Sequence, residues 1–213
     1  MGGIALTSAF DEAVQHATQE ARTPTGDRLA AVVRRMGQPE IFATIPAALF
    51  LGGLIGHRPE VRRAGERIAA SLLFAGALAV GTKAALGRVR PFASEEPFDF
   101  KPLSGADAFP SGHTTMAFTL ATALADEVHR PAVSVALVLA ASATGWSRLN
   151  DNKHWLSDVI AGAGLGVTSA QLAERRWSIL HIRPPTVLAT GTRMGIGWTV
   201  PIRLREPSQQ FQR

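Results

Sequence analysis

Five apolar stretches rich in Ala, Gly, Leu and Val, at residues 41–56, 68–86, 114–125, 131–146 and 159–173, limit what this chain can fold into. Each is too long for a strand and lacks strand alternation, so each reads as a helix. Two carry Gly-Gly or Gly-Ala-Gly steps that let helices approach closely. A helix crossing a bilayer needs about 20 apolar residues. The uncharged runs mostly fall short of that, although polar ends that snorkel or line a site lengthen them. The expected fold is all-α: a helical bundle of about five or six core helices, embedded in a membrane, with the buried core of a soluble bundle as the alternative.

Residues 1–40 read as amphipathic helices broken near Thr23-Pro24-Thr25-Gly26-Asp27. Asp27 or Thr25 is the expected cap of the second, whose apolar positions Leu29, Val32, Val33 and Met36 follow the helical period. Gly37-Gln38-Pro39 stops it. Past residue 183, Pro184-Pro185 closes the helical part, and residues 186–204 carry a short, glycine-punctuated, hairpin-like pattern. The chain thus divides into N-terminal helices (1–40), one helical domain (41–183) and a C-terminal tail (184–213). Met1 to Leu6 lacks the charged flank of a secretory signal, and Asp11 and Glu12 interrupt it. Export then uses another route, or a leader lies outside this sequence.

The formal net charge is +5, and arginine far outnumbers lysine. The arginines are scattered between apolar runs, which suits the flanks of membrane segments and an anion site and argues against a nucleic-acid partner. Cysteine is absent, which removes disulfides, thiolate metal sites and cysteine nucleophiles. If the segments alternate in direction, the polar stretches at 83–91, 109–115 and 147–158 share one side. The other side holds Arg58, Arg62, Arg63, Arg67, Arg130, Arg175 and Arg176, matching a cytoplasmic excess of positive charge and an extracytoplasmic site. Arg22, Arg28, Arg34 and Arg35 depart from that pattern by falling on the site's side.

Those three polar stretches supply complementary parts of a phosphate site. Lys83 and Arg90 are two helical turns apart, and Pro91 ends their helix, with Arg88 pointing elsewhere as a structural or solvated residue. Ser111 opens an apolar helix, and Gly112 lets an oxyanion approach the free N–H groups of the first turn, with His113 in reach. In the third stretch, Arg148 adds a cation and His154 a nucleophile. Asp158, four residues on, falls on the same helical face and orients the imidazole. Fixed cations around acid–base groups suit moving a phosphoryl group. Trp146 and Trp155 read as packing anchors, and Asp151, Asn152 and Lys153 as a solvated mouth. His16, His57, His129 and His181 lack partners at metal-ligand spacing.

Lys83-x6-Arg90-Pro91, Pro110-Ser111-Gly112-His113 and Ser147-Arg148-x5-His154-x3-Asp158 resemble, position for position, the three-part signature of the type 2 phosphatidic acid phosphatase superfamily. That superfamily also holds bacterial class A acid phosphatases and vanadium haloperoxidases. The resemblance implies a helical bundle and phosphomonoester hydrolysis with no metal or cofactor. His154 is then the nucleophile that forms a phosphohistidine, Asp158 its orienter, and His113 the acid and base. Lys83, Arg90 and Arg148 clamp the phosphate with Ser111 and the Gly112 N–H. The expected substrate is a phosphorylated lipid or its pyrophosphate, at the extracytoplasmic face of a cell membrane. The alternatives are a soluble periplasmic acid phosphatase on small phosphomonoesters, a vanadium haloperoxidase, and a membrane protein that only binds anionic head groups. Oligomeric state is not legible.

Overall fold

The computed structural model describes residues 9–173 and the backbone of 186–190 and 193–197. Two short helices come first, α1 (Asp11–Glu20) and α2 (Pro24–Val33), and a 3-10 turn, Arg34–Gly37, follows. Five longer helices form the bundle: α3 (Pro39–Ile55), α4 (Pro59–Leu86), α5 (Gly112–Val128), α6 (Pro131–Asn150) and α7 (Leu156–Ala173). Proline stands in the first turn of α2, α3, α4 and α6, where its fixed φ suits the helix and its missing N–H costs nothing. The cap of α2 is Thr23, whose side chain accepts from the Gly26 N–H, and not Asp27 or Thr25. Thr23 alone has the extended backbone a cap needs.

At the centre, α5 packs against α4, α6 and α7, while α3 leans on α4 and α2 on α6. The interior is built largely of small residues. Ala117, Ala121, Ala141 and Ala170 are fully buried, and Thr114, Thr115, Thr119 and Thr144 lie beside them. Gly162 and Gly166 of α7 face the backbone of α5 so closely that a Cβ at either would meet the Ser111 or Thr115 carbonyl. Larger side chains fill one cluster, where Ile68, Leu72 and Leu120 pack with Phe42, Leu49 and Met116.

Many of the other large apolar residues point outward, among them Ile55 (78% exposed), Leu73 (67%), Val80 (67%) and Leu139 (64%). Small residues inside and branched apolar residues outside is the packing expected when the surrounding solvent is lipid. Among the described residues, α4 and α6 are long and apolar enough to cross a membrane, with mean hydropathies of 1.6 and 1.3, and α2 with α3 makes a third such unit bent by 41°. The helices outrun the uncharged stretches in the sequence because polar turns continue them. Thus α4 starts nine residues before the apolar run at 68, through Arg62, Arg63 and Arg67.

Towards the C-terminus, β1 (Thr186–Thr190) and β2 (Arg193–Gly197) pair antiparallel, with Val187 opposite Ile196. This is the hairpin anticipated in the tail. Residues 198–204, Pro184-Pro185, His181, Arg175, Arg176 and Met1 to Leu6 lie outside the described residues.

Candidate active site

The helix of the first polar stretch ends at Leu86, not at Pro91. Gly87 adopts a left-handed conformation (φ 58°) and its N–H bonds back to the Lys83 carbonyl. Only glycine fits there, since a Cβ would strike the Lys101 carbonyl as well as strain the backbone. Arg90 therefore lies in the loop beyond the helix. Helical spacing does not align it with Lys83; a carboxylate does. Asp107 accepts two hydrogen bonds from Arg90, both 2.8 Å, and stands 4.0 Å from Lys83 Nζ, which also donates to the Asp107 carbonyl. Burial raises the Asp107 carboxyl's affinity for protons. The Arg90 hydrogen bonds and charge, with Lys83 and His154 nearby, outweigh that and hold it below the usual carboxylate range.

Arg148, at the end of α6, is 6% exposed and donates to Asp151 at 2.8 Å. Asp151 also takes a hydrogen bond from Arg34, at 3.2 Å, so the 3-10 turn after α2 reaches into the mouth of the site. Arg148 Nε is buried with no acceptor. Together Arg22, Arg34, Gln38, His113, Arg148, Asp151 and Lys153 line an open hollow of about 400 Å³. Lys83, Arg90 and His154 are not in that lining; Arg90's charge bears on both His113 and His154 and links the two groups.

At the base of α5, Ser111 occupies the cap position, but its hydroxyl accepts from Thr114 Oγ1 and caps no backbone N–H. The first-turn N–H groups and the positive helix end are thereby left open to an anion. Lys83 lies over this turn, its Cε 3.7 Å from where a Gly112 Cβ would be. His113 follows at once. Burial above all, then the charges of Arg148, His154, Arg34 and Arg90, push its imidazole down to about 4.

His154 precedes α7 instead of lying on it, so it does not share a helical face with Asp158. Its Nδ1 is 2.7 Å from the Ala108 carbonyl, while Asp158 Oδ2 stands 3.6 Å away, beyond hydrogen-bond length. The carbonyl can only accept, so Nδ1 carries the proton and Nε2 keeps a free lone pair. Asp158 acts on the ring by charge. Burial pushes the His154 imidazole down, against the pull of Asp158, and Lys83 and Arg90 add to the push.

Asp158 itself is fully buried and doubly held. Its Oδ2 accepts the Trp155 N–H at 2.8 Å, the backward half of a capping box, and its Oδ1 takes Arg88 at 2.6 Å. Arg88 is not solvated; it is 1% exposed and sits between the rings of Phe100 and Trp155. Chemically, the site sets a buried imidazole and a second, neutral one near three cations, each held by a carboxylate.

The PAP2 superfamily model matches residues 66–178 of this chain. The chain belongs to the PAP2 superfamily. A lipid A 1-phosphatase of Porphyromonas gingivalis is 39% identical over 107 residues, which are 49% of this chain and 21% of that protein. One of Rhizobium etli is 38% identical over 109 residues, 48% of this chain and 45% of that one. The chain spans less than half the length of these curated relatives.

Among solved structures, this PAP2 chain resembles Aquifex aeolicus LpxE in fold, with a TM-score of 0.60 at 22% identity, covering 78% of this chain and 95% of that one. It also resembles the first transmembrane PAP2 type phosphatidylglycerolphosphate phosphatase from Bacillus subtilis, with a TM-score of 0.61 at 25% identity, covering 81% and 86%. Its outward-facing apolar residues and spanning helices agree with that transmembrane architecture, and the protein is a membrane protein.

Sequence reading missed three polar groups that hold these residues. Asp107 was within reach of it, since Lys83 and Arg90 need a counter-charge while no phosphate is bound. Asp151 was assigned to a solvated loop, yet it ties Arg148 to Arg34. The Ala108 carbonyl has no side-chain signal.

Proposed function

We propose that this PAP2 chain is a membrane-embedded phosphatase that hydrolyses a phosphomonoester or pyrophosphate of a lipid through a phosphohistidine on His154. The observation that carries the reading is the 2.7 Å contact of His154 Nδ1 with the Ala108 carbonyl, which leaves the Nε2 lone pair to attack while the charges of Lys83 and Arg90 bear on the ring. The Nε2 atom attacks phosphorus and the P–O bond to the lipid breaks. His113 gives its proton to the departing oxygen. Water then attacks the phosphohistidine and hands a proton to His113, the N–P bond breaks, and inorganic phosphate leaves. Lys83, Arg90, Arg148 and the Gly112 N–H hold the equatorial oxygens, and Asp158 offsets the positive charge that grows on the His154 ring.

In the free protein His113 titrates at about 4, so at neutral pH it is uncharged. A phosphate monoester loses its second proton near pH ~6 and is mostly a dianion at neutral pH, so the proton that His113 gives is taken up from water once the substrate is bound. The bound anion also offsets the cations that hold His113 neutral.

Lipid A bearing a 1-phosphate is the first substrate to test, supported by the sequence relatives, with the phosphate on the extracytoplasmic leaflet. Purified protein in detergent is offered lipid A, phosphatidylglycerol phosphate, phosphatidate and an isoprenyl pyrophosphate, and released phosphate is measured. Release from at least one is expected, with lipid A fastest, and His154→Ala lowers it at least about 10³-fold. No release from any lipid, or activity that survives His154→Ala, overturns the reading.

A further inference from the structure

Asp11 is a fully buried carboxylate on α1 with no part in the steps above. It lies 55 positions before the matched region begins, yet it touches the start of α7. The residue at that helix's cap position is Trp155, whose side chain cannot accept from the first-turn N–H groups, and Asp158 reaches back to the Trp155 N–H alone. Asp11 supplies a cap from 146 residues away, its Oδ1 accepting the Ser157 N–H at 2.8 Å. Its Oδ2 accepts from the Ser157 hydroxyl at 2.6 Å and from Arg88 at 2.7 Å. Arg88 in turn donates to Ser157 Oγ and Asp158 Oδ1, and Asp158 faces the His154 ring.

The charge count gives this arrangement a consequence. One buried guanidinium lies between two buried carboxylates, so the triad carries a net charge of −1 next to His154. Without Asp11 the sum is zero, and Arg88 has Asp158 as its one remaining carboxylate. Less negative field then reaches the imidazole at the moment it becomes positive.

We propose that Asp11 is a positioning residue for His154, acting through Arg88 and Asp158, so that the first helix of the chain is a working part of the site. It rests on the phosphohistidine reading above. The role is electrostatic as well as mechanical: Asp11 fixes the start of α7 and leaves Asp158 with charge to spare for the nucleophile.

The test is a double-mutant cycle on phosphate release, with the lipid that the wild type hydrolyses best. Asp11→Asn keeps the shape and removes the charge. It is expected to lower kcat about 10-fold with KM within about 2-fold, the loss appearing in the formation of the phosphorylated enzyme. In an Asp158→Asn background the same change is expected to lower kcat less than about 2-fold, because the path through Asp158 is already cut. If the two losses simply multiply, or if KM alone rises, Asp11 is a docking residue only and the proposal fails. Should Asp11→Asn not yield folded protein, Asp11→Ser, which also removes the charge while keeping an oxygen that can accept, takes its place in the same cycle with the same opposed outcomes. A wild type that hydrolyses none of the lipids sinks the parent reading and this one together, whereas turnover with a multiplicative cycle sinks this one alone.

Discussion

The two ends of the bundle use the same kind of ion pair for different purposes. At the end away from the site, Arg67 of α4 grips Glu127 of α5 through two hydrogen bonds of 2.7 and 2.8 Å, with the arginine side chain 45% exposed. At the site, Arg88 meets Asp11 and Asp158 at 2.7 and 2.6 Å with 2% of its side chain exposed and neither carboxylate accessible. The contact lengths barely differ. Water decides the rest: an exposed pair is screened and nearly neutral in energy, while buried charges must find all their partners inside the protein or the site fails to form.

The largest effect that could break this contrast is expected at Arg88. Arg88→Ala strands Asp11 and Asp158 as buried, unpaired carboxylates and removes the cation between Phe100 and Trp155. A loss of about 3–5 kcal/mol is expected, read from thermal or denaturant unfolding in detergent. A loss below about 1 kcal/mol would mean that water reaches this network.

Smaller, and dependent on pH, is the contribution of His113. An unfolded chain takes up its proton near 6.5, the folded protein only at about 4. Between those values the unfolded state binds more protons, so stability falls as pH drops from 6.5 towards 4. His154, also pushed down by burial, adds to the same slope. His113→Gln is expected to flatten the curve of Tm against pH across this window and to leave the plateau above pH 7 within a few degrees. An unchanged slope contradicts the neutral, buried imidazole described for the site.

The smallest effect belongs to the far end. Arg67→Gln is expected to cost no more than about 0.5–1 kcal/mol and to leave kcat unchanged, by the same unfolding and phosphate-release measurements. A cost like that of Arg88→Ala would erase the distinction between the two ends.

Much of this was readable along the chain. Apolar runs broken by Pro and Gly specify helices whatever their neighbours, because the helical period and the proline constraint are local. The family signature from Lys83 to Asp158 points to the proposed phosphate site for a similar reason: such a clamp needs cations, and a phosphoryl acceptor needs a nucleophile such as imidazole. Where local spacing was used to infer direction, it misled. Lys83 and Arg90 are not on one helix, since Gly87 ends it, and His154 is not on one face with Asp158, since α7 begins after it.

What only the folded chain decided is which charge answers which. Asp107 draws Lys83 and Arg90 together, Asp151 joins Arg148 to Arg34, the Ala108 carbonyl sets the tautomer of His154, and Asp11 caps a helix that starts 145 positions later. Type and spacing say that a buried cation needs a carboxylate. They do not say which one, because the energy of that choice depends on distance and exclusion of water, and both exist only once the helices have packed.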